Sequence, residues 1–389
     1  MKTKIFILLF WGGICLQIIL PQELPAQSLI DLYRNGTVTL VPDTAYARNN
    51  DWEQVFALYY DTLYNRPMGN RKQIVMMPDR SIVVSHEYRN LYSLFDSLGN
   101  FVKEFSIVGN SGKPMKETKK IKGTIQQHFF TEPDNMGRMI CCDFNGRYVK
   151  TLTLNYMTRS IIPLANNKLG VVGWVIWKDR YRDFVALVDY QTNEEHIIWS
   201  QFTNDINKSM YGEIKAAFVN DQIIITIPRE GEILIYGMNG NLISKNKVEW
   251  EIPYLSVEEQ KAARRKALAS WKADESIRAS DEILKQVEES IEKITEPLKL
   301  PAFSNVLKDS DDNLLIFEIP KEEGSNLFHV WTYRDGGKFI TQGRFVCDDY
   351  DLSITPEKMI FHEGYLYALQ ILKNVQGNPL RLVRFKLSN

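Results

Sequence analysis

The chain has 389 residues, of which 44% are hydrophobic and 12% are aromatic. Its 47 lysines and arginines nearly balance its 48 aspartates and glutamates, so no excess charge favours binding of the whole protein to nucleic acid or to an anionic membrane. A chain of this length can bury a large core, either as one large all-β domain or as two smaller domains.

The first 27 residues predict an export signal. Lys2 and Lys4 precede an apolar stretch at residues 5–20, and a Pro- and Ala-containing region follows. This order is typical of a secretory signal peptide that is cut after residue 26 or 27. An uncleaved membrane anchor is one alternative, although the apolar stretch is shorter than the roughly 20 residues that cross a bilayer. A lipid anchor at Cys15 is another. We expect an exported protein of the periplasm or cell surface, without a transmembrane span after cleavage.

Three cysteines remain after such cleavage, namely Cys141, Cys142 and Cys347. Three cysteines are too few for a disulfide framework. Neighbouring residues on a strand point to opposite faces of the sheet, and a bond between Cys141 and Cys142 would be strained. The sequence therefore predicts buried free thiols.

A hairpin signature recurs along the chain with a constant period. Each copy has an apolar run, a turn, a Gly or Asn, and a second apolar run. The turn residues Gly99, Gly146, Asn193 and Gly240 are each 47 residues apart (146−99, 193−146, 240−193). A period in this range, built from strands alone, is typical of propeller blades.

Alternation and turn chemistry divide residues 72–389 into six blade-sized groups, which predicts an all-β fold, a six-bladed β-propeller. The last group shows only three strands. We expect residues 28–71 to supply the missing strand within Gln54–Tyr60, with Thr37–Val41 as an additional short piece. Such a strand would close the ring and leave no long open edge.

One interval breaks the period, because Gly240 and Gly337 are 97 residues apart (337−240). The excess coincides with residues 255–297, where Ser256 and Glu259 form a capping-box pattern that begins a helix. A second helix is predicted from Ser280 by apolar residues at three- and four-residue spacing. We predict a helical hairpin inserted between blades four and five.

The segment from Leu94 to Pro114 resembles part of a known family. Its D-x-x-G hairpin is followed by a glycine-rich run, Gly109 to Pro114. This segment, together with Leu300–Leu314, resembles the NHL-like six-bladed β-propellers that Bacteroidetes export. The resemblance covers residues 50–387. It implies a six-bladed fold and export, and it implies little about activity because most members are uncharacterised.

Candidate binding residues lie in loops between the second and third strands of the predicted blades. In a propeller these loops share one face with the connections between blades, so the helical insertion would sit on that face as a lid or a docking element, or would merely cover apolar surface. Aromatic residues and arginines suit recognition of a glycan or peptide, although such residues are ordinary in exposed hairpins. The candidates are His86, Tyr88, Arg89, Trp174, Trp177, Arg180, Tyr181 and Arg229.

Signals for catalysis and for metal binding are weak in this sequence. The five histidines are dispersed, and none stands at a short ligand spacing. No nucleophile elbow, phosphate-binding loop or dinucleotide fingerprint occurs in a suitable context. We therefore expect no catalytic residues and no cofactor, although residues of different blades could still hold a structural or channel-bound calcium ion.

The leading hypothesis is an exported, non-catalytic binding or scaffold propeller. It would recognise a glycan, a peptide or an envelope protein on the face that carries the helical insertion, and it would not bind nucleic acid. The alternative is a metal-dependent hydrolase or lyase with its site in the central channel. A third hypothesis is an envelope assembly subunit that is held by its helical hairpin.

Overall fold

The computed structural model describes residues 28–389 apart from a set of short stretches. Residues 1–27, the predicted signal peptide, lie outside the described residues. So do residues 57–58, 62–65, 69–70, 87–89, 116–120, 126–127, 132–136, 155, 165–166, 178–179, 204–213, 220, 249, 253, 274–279, 320–326, 335–336, 353 and 356.

Five short elements form the N-terminal part of the described chain. They are α1 (Leu29–Arg34), β1 (Thr37–Pro42), α2 (Trp52–Val55), β2 (Tyr59–Asp61) and β3 (Arg66–Met68). In β1, alternation buries Val38 and Leu40, as expected for a strand with one face on a core. The side chain of Asp51 caps α2 by accepting hydrogen bonds from the backbone N–H groups of the next turn.

Four antiparallel sheets of four strands each follow in chain order. The first contains β4 (Arg71–Met76), β5 (Ile82–His86), β6 (Tyr92–Phe95) and β7 (Phe101–Phe105); the second contains β8 (Ile121–Ile125), β9 (His128–Thr131), β10 (Arg138–Asp143) and β11 (Tyr148–Thr153). The third contains β12 (Met157–Pro163), β13 (Lys168–Trp177), β14 (Arg180–Asp189) and β15 (Glu195–Thr203); the fourth contains β16 (Lys215–Val219), β17 (Gln222–Ile227), β18 (Glu232–Gly237) and β19 (Leu242–Lys247).

The periodic turns have the backbone conformation that their residues predict. The φ angles of Gly99, Gly146, Asn193 and Gly240 are +80°, +79°, +64° and +83°. Glycine adopts this left-handed region without a steric penalty, and asparagine tolerates it. In the second sheet, the Asp143 carboxylate also accepts hydrogen bonds from the N–H groups of Asn145 and Arg147, both at 2.9 Å.

A pair of helices separates the fourth sheet from the next strands. The elements are β20 (Tyr254–Leu255), α3 (Val257–Ala273), α4 (Asp281–Glu292) and β21 (Leu298–Lys299). The capping box is present, since the Ser256 N–H donates to Glu259 at 2.8 Å and the Glu259 N–H donates to the Ser256 hydroxyl at 3.2 Å. Ser280 caps α4. The two short strands β20 and β21 pair at the base of the helices.

The remaining strands form one nine-stranded sheet together with β1. They are β22 (Asn305–Lys308), β23 (Leu314–Phe317), β24 (Leu327–Arg334), β25 (Lys338–Val346), β26 (Tyr350–Asp351), β27 (Met359–His362), β28 (Tyr365–Leu372) and β29 (Leu380–Ser388). Strand β1 is parallel to β25 and antiparallel to β29. The sequence predicts separate sheets here, but β1 hydrogen-bonds on both of its edges and so makes them continuous.

The position of the closing strand differs from the prediction. Residues 54–55 lie in α2, and Tyr59 and Tyr60 pair with β3 in a separate two-stranded sheet. The strand that joins β29 is Thr37–Pro42, which the sequence suggests only as an additional piece. The cause is local, because the Asp51 cap starts a helix where the apolar pattern alone favours a strand.

Six apolar clusters of the described residues lie between successive sets of strands. The first three join the first sheet to the second, the second to the third, and the third to the fourth. The next two join the fourth sheet to β22–β24 and those strands to β27–β29. The last joins β28 and β29 to the first sheet through residues such as Tyr367 and Ile74. The fold is therefore an all-β propeller with a closed ring of sheets.

Candidate functional site

The end of the ring that carries the loops between the second and third strands is called the upper face here. On this face, the hairpin of β13 and β14 is longer than the corresponding hairpin of the second sheet. Each of these strands has 10 residues, whereas the corresponding β9 and β10 of the second sheet have 4 and 6. The pairing is continuous from Lys168 and Asp189 to Trp177 and Arg180. At about 3.3 Å per residue, the described ladder of β13 and β14 is therefore longer than that of β9 and β10.

One face of this hairpin carries Trp174 and Tyr181. Their ring centroids are 5.4 Å apart and tilted by 34°. Trp174 stands opposite Asp183 in the register, and Tyr181 stands opposite Ile176, so all four side chains share one face. The carboxylate of Asp183 binds the Arg159 guanidinium at 2.9 Å, with about an eighth of each side chain exposed (12% and 13%). This ion pair anchors the base of the aromatic pair.

The opposite face of the hairpin carries a second cationic and aromatic pair. The Arg182 guanidinium lies 5.6 Å from the centre of the Phe202 ring, and its Nη2 donates to the Ser200 hydroxyl at 3.1 Å. Phe202 is 49% exposed although it is a large apolar residue. Arg180 lies two residues before Arg182 on the same face, and it is exposed.

The other predicted binding residues do not join this hairpin. His86 ends β5 in the first sheet and is completely buried, so the expectation of an accessible ligand-binding imidazole there is wrong. Its backbone N–H donates to the carbonyl of Leu91 at 3.0 Å, which closes the turn and draws the residue into the core. Tyr88 and Arg89 lie outside the described residues.

Arg229 lies in the corresponding turn of the fourth sheet and is half-buried. Its Nη1 is buried and donates to no group in the described part of the chain. The predicted residues are therefore distributed over the first, third and fourth sheets. Only Trp174, Trp177, Arg180 and Tyr181 belong to one hairpin.

The helices α3 and α4 enclose a groove of about 790 Å³. Apolar side chains form its floor, since Leu268 is 6% exposed and Ile291 is 1% exposed. Two ion pairs cross from α3 to α4, Arg265 to Glu292 at 2.6 Å and Lys272 to Glu288 at 2.5 Å. Because both ion pairs are exposed, they add little to the stability of the fold. They do fix the orientation of the two helices relative to each other.

A second cavity was not predicted from the sequence. It has a volume of about 570 Å³ and lies on β24 and β25, beside the start of β1. Glu318, His329 and Trp331 line it. His329 is one of the five dispersed histidines, and the sequence does not single it out as a candidate. The available signal was the alternation of His329 and Trp331 with the apolar residues Phe328 and Val330, which are buried.

The described residues contain no group of three or more His, Cys, Asp or Glu side chains placed to hold a metal ion. Within the same residues, no helix is both long enough and apolar enough to cross a membrane. Cys141, Cys142 and Cys347 are buried free thiols, as predicted. Burial raises the pKa of Cys141 to about 11, so this thiol stays protonated and unreactive at neutral pH.

No protein-family model matches the sequence, and no curated protein sequence is significantly similar to it. Among solved structures, a member of the DUF4221 family from Bacteroides vulgatus is similar with a TM-score of 0.53 at 12% identity, over 91% of this chain and 99% of that chain. A Bacteroides fragilis protein that is described as exported has a TM-score of 0.47 at 11% identity, over 90% and 99%. A catalytically inactive virginiamycin B lyase from Staphylococcus aureus has a TM-score of 0.39 at 12% identity, over 81% and 84%.

The first of these similarities is the strongest of the three and extends over nearly all of both chains. At 12% identity it shows the fold and nothing about ligand or activity. The all-β propeller is thus shared with a Bacteroides protein. The other two similarities are too distant for any argument about this chain.

Proposed function

We propose that this chain is a six-bladed propeller that binds a protein or peptide partner outside the cytoplasm and catalyses no reaction. The strand order supports six blades, because β1 divides the nine-stranded sheet into β22–β25 on one side and β26–β29 on the other. With β1 as the outer strand, β27, β28 and β29 also make a set of four, beside the two-residue strand β26. The six apolar clusters, each between neighbouring sets of strands, fit the same count. Under this count α3 and α4 are the insertion between blades four and five, as in the NHL-like family that the sequence resembles.

The observation that carries the binding role is the exposed apolar surface of the β13–β14 hairpin. Ile176 is 57% exposed and Met157 is 38% exposed, and the register places both on the face that carries Trp174 and Tyr181. Exposed apolar side chains that share one face of a hairpin cost free energy in water unless a partner covers them.

The composition of the hairpin favours a protein or peptide partner. Aromatic residues and arginines are enriched at the centres of protein interfaces, and Trp174, Tyr181, Arg180 and Arg182 all lie here. The aliphatic Ile176 adds surface that a strongly hydrated glycan would cover poorly. Because Asp183 and Ser200 hold Arg159 and Arg182 in place, part of the surface is ordered before a partner arrives.

Site-specific photo-crosslinking tests this role. A photoreactive residue at position 176, in protein mixed with extract of the cell envelope, should form a defined protein adduct. Position 243 is the matched control, because Ile243 is 53% exposed but lies in β19 of the fourth sheet. The adduct from position 176 should disappear when Met157→Ser, a change on the same face, is added. Equal labelling at both positions, or an adduct with a glycan alone, would contradict the proposal.

Metal analysis separates this proposal from the competing hydrolase or lyase. A metal-dependent enzyme with its site in the channel must retain calcium or zinc in stoichiometric amounts and lose activity on chelation. A binding propeller should bind its partner equally well before and after treatment with a chelator. Loss of the position-176 adduct on chelation would favour the metal-dependent alternative.

A further inference from the structure

A polar cavity of about 570 Å³ lies on the outer flank of the ring, away from the β13–β14 hairpin. This volume is within the range of about 300–1,000 Å³ that is common for small-molecule sites. Six side chains matter for its chemistry, and four strands or their ends supply them. They are Thr37, Glu318, His329, Trp331, Gln342 and Arg344.

The strand register places these side chains on one face of the sheet. His329 stands opposite Arg344, and Trp331 stands opposite Gln342. Thr37 stands opposite Arg344 on the other side of β25. Since directly opposed residues share a face, a polar row runs across β24, β25 and β1. The neighbouring residues Phe328 and Phe345 point to the other face and are buried.

Trp331, which lines the cavity, is held in a fixed orientation. Its ring stacks on Trp250 with the centroids 4.3 Å apart. Its indole N–H donates to Oε1 of Glu318 at 2.5 Å. Because both contacts already restrict the side chain of Trp331, it loses less conformational freedom when a ligand binds. The second carboxylate oxygen of Glu318 accepts no hydrogen bond from any described residue, and so it is available to a ligand hydroxyl.

The other polar groups around Trp331 are exposed to water. His329, Gln342 and Arg344 are all exposed. The imidazole of His329 and the amide of Gln342 bond to nothing in the described part of the chain, and Arg344 donates to the Thr37 hydroxyl at 3.1 Å. Hydrogen-bond donors and acceptors therefore line the same cavity as the aromatic ring of Trp331. The single negative charge of Glu318 is matched by the single positive charge of Arg344.

We propose that this cavity binds a short neutral saccharide. An aromatic ring provides apolar surface for the C–H groups of a sugar ring, and the surrounding carboxylate, amide, imidazole and guanidinium groups pair with its hydroxyls. A phosphate or carboxylate ligand would be attracted by Arg344 but repelled by Glu318, so the cavity has no net positive charge that favours an anion. A purely apolar ligand would leave the polar groups of the cavity without partners.

Saturation-transfer difference NMR with cellobiose, maltose and N,N′-diacetylchitobiose tests the proposal on the full chain. At least one of these neutral disaccharides should receive magnetisation at its ring C–H protons. In titrations, His329→Ala and Gln342→Ala should each weaken its binding by about three- to tenfold, since each removes one hydrogen bond. Gln201→Ala is the matched control, because Gln201 is also exposed but belongs to β15 of the third sheet.

Three results would overturn the proposal. One is no transfer to any of the three disaccharides at millimolar concentration. Another is binding that His329→Ala and Gln342→Ala leave unchanged, or that Gln201→Ala weakens as much as they do. The third is tighter binding of glucose 6-phosphate or glutamate than of every neutral disaccharide. Because His329 and Gln342 are exposed, these variants should keep the circular dichroism spectrum of the parent, and the readout reports on binding alone.

Discussion

The ammonium group of Lys122 lies 3.2 Å from the carboxylate of Glu357, and the two residues are 235 positions apart in the chain. Lys122 belongs to β8, the first strand of the second sheet, whereas Glu357 precedes β27 near the C-terminus. The backbone carbonyl of Glu357 also accepts the N–H of Ile74 in β4 at 2.9 Å. One residue thus ties the last strands of the ring to both the first and the second sheet.

We expect mutation of Lys122 and mutation of Glu357 to lower the unfolding free energy by different amounts. The side chain of Lys122 is 5% exposed, whereas that of Glu357 is 40% exposed. Glu357→Gln removes a negative charge from beside a buried ammonium group and should cost about 1–3 kcal/mol of unfolding free energy, whereas Lys122→Met replaces the charge with an apolar chain and should cost less. Urea denaturation of both variants measures the difference. An equal cost for the two would show that the pair is screened by solvent.

A second buried contact holds the N-terminal helix to the ring. The hydroxyl of Tyr33 in α1 donates to the Asp309 carboxylate at 2.8 Å. Burial raises the pKa of Asp309, and hydrogen bonds from Asn313 and Tyr33 offset only part of this effect. With a folded-state pKa above the unfolded value, the stability from Asp309 is full below its ordinary pKa of 3.8 and is lost as the pH rises through the folded value.

The Tyr33→Phe variant should therefore show a penalty that depends on pH. The hydrogen bond from Tyr33 favours the ionised form of Asp309. Its removal should therefore lower the unfolding free energy by about 1–2 kcal/mol at neutral pH. The loss should be smaller below pH 3.8, where the carboxyl is protonated. Denaturation of the parent and the variant at both pH values provides the test. A penalty of the same size at the two pH values would contradict the assigned role of Asp309.

The pair of Asp43 and Arg384 should have the opposite pH dependence. Burial acts to raise the pKa of Asp43, but hydrogen bonds from Arg384 and from the Ala45 N–H outweigh it and lower the pKa from 3.8. Arg384 donates to Oδ2 of Asp43 at 2.6 Å and 3.0 Å. The stability from this pair is therefore present above pH 3.8 and is lost as the pH falls through the folded pKa.

Asp43→Asn measures this contribution directly. We expect a loss of about 1–3 kcal/mol at pH 7, because a charge-assisted hydrogen bond is weakened. The difference in unfolding free energy between parent and variant should shrink as the pH falls below 3.8. A difference that stays constant, or that grows in acid, would mean that Asp43 is not ionised in the folded protein.

Deletion of the helical pair should leave the ring folded. Helix α3 packs on α4 and on β20, and Gln260 of α3 donates to the carbonyl groups of Leu255 and Glu296 at the base. The main contacts of α3 are therefore with α4 and with the short strands at the base of the helices, and not with the blades. We expect a chain lacking residues 256–296 to unfold within a few degrees of the parent in a thermal melt. A melting temperature lower by more than about 10 °C would show that the helices cover part of the ring's core.

Much of the strand order could be predicted from the sequence, because local chemistry determines it. The turn residues Gly99, Gly146, Asn193 and Gly240 need positive φ angles, and they occupy them. The closing strand could not be predicted with the same certainty. Thr37–Pro42 and Gln54–Tyr60 both contain apolar residues, and the choice between them depends on pairing with β29, which lies more than 300 residues away.

The candidate site was predictable only in part, for a similar reason. Trp174, Trp177, Arg180 and Tyr181 are close in the sequence, so their hairpin could be recognised. The burial of His86 depends on the packing of the first sheet against its neighbours, which no local pattern reveals. The flank cavity depends on β1 lying beside β25, and this contact again joins distant parts of the chain.

Ring closure by β1 is the claim on which the positions of all the loops depend, and a disulfide tests it most directly. Thr39 and Ser388 are opposed in the register of β1 and β29, within the Cα distance that a disulfide spans. With Thr39→Cys and Ser388→Cys combined, mild oxidation should form the bond readily, whereas Val41→Cys with Ser388→Cys, two residues out of register, should form it poorly. No bond in the first pair, or equal yields in both, would show that the N-terminal strand does not close the ring in this register.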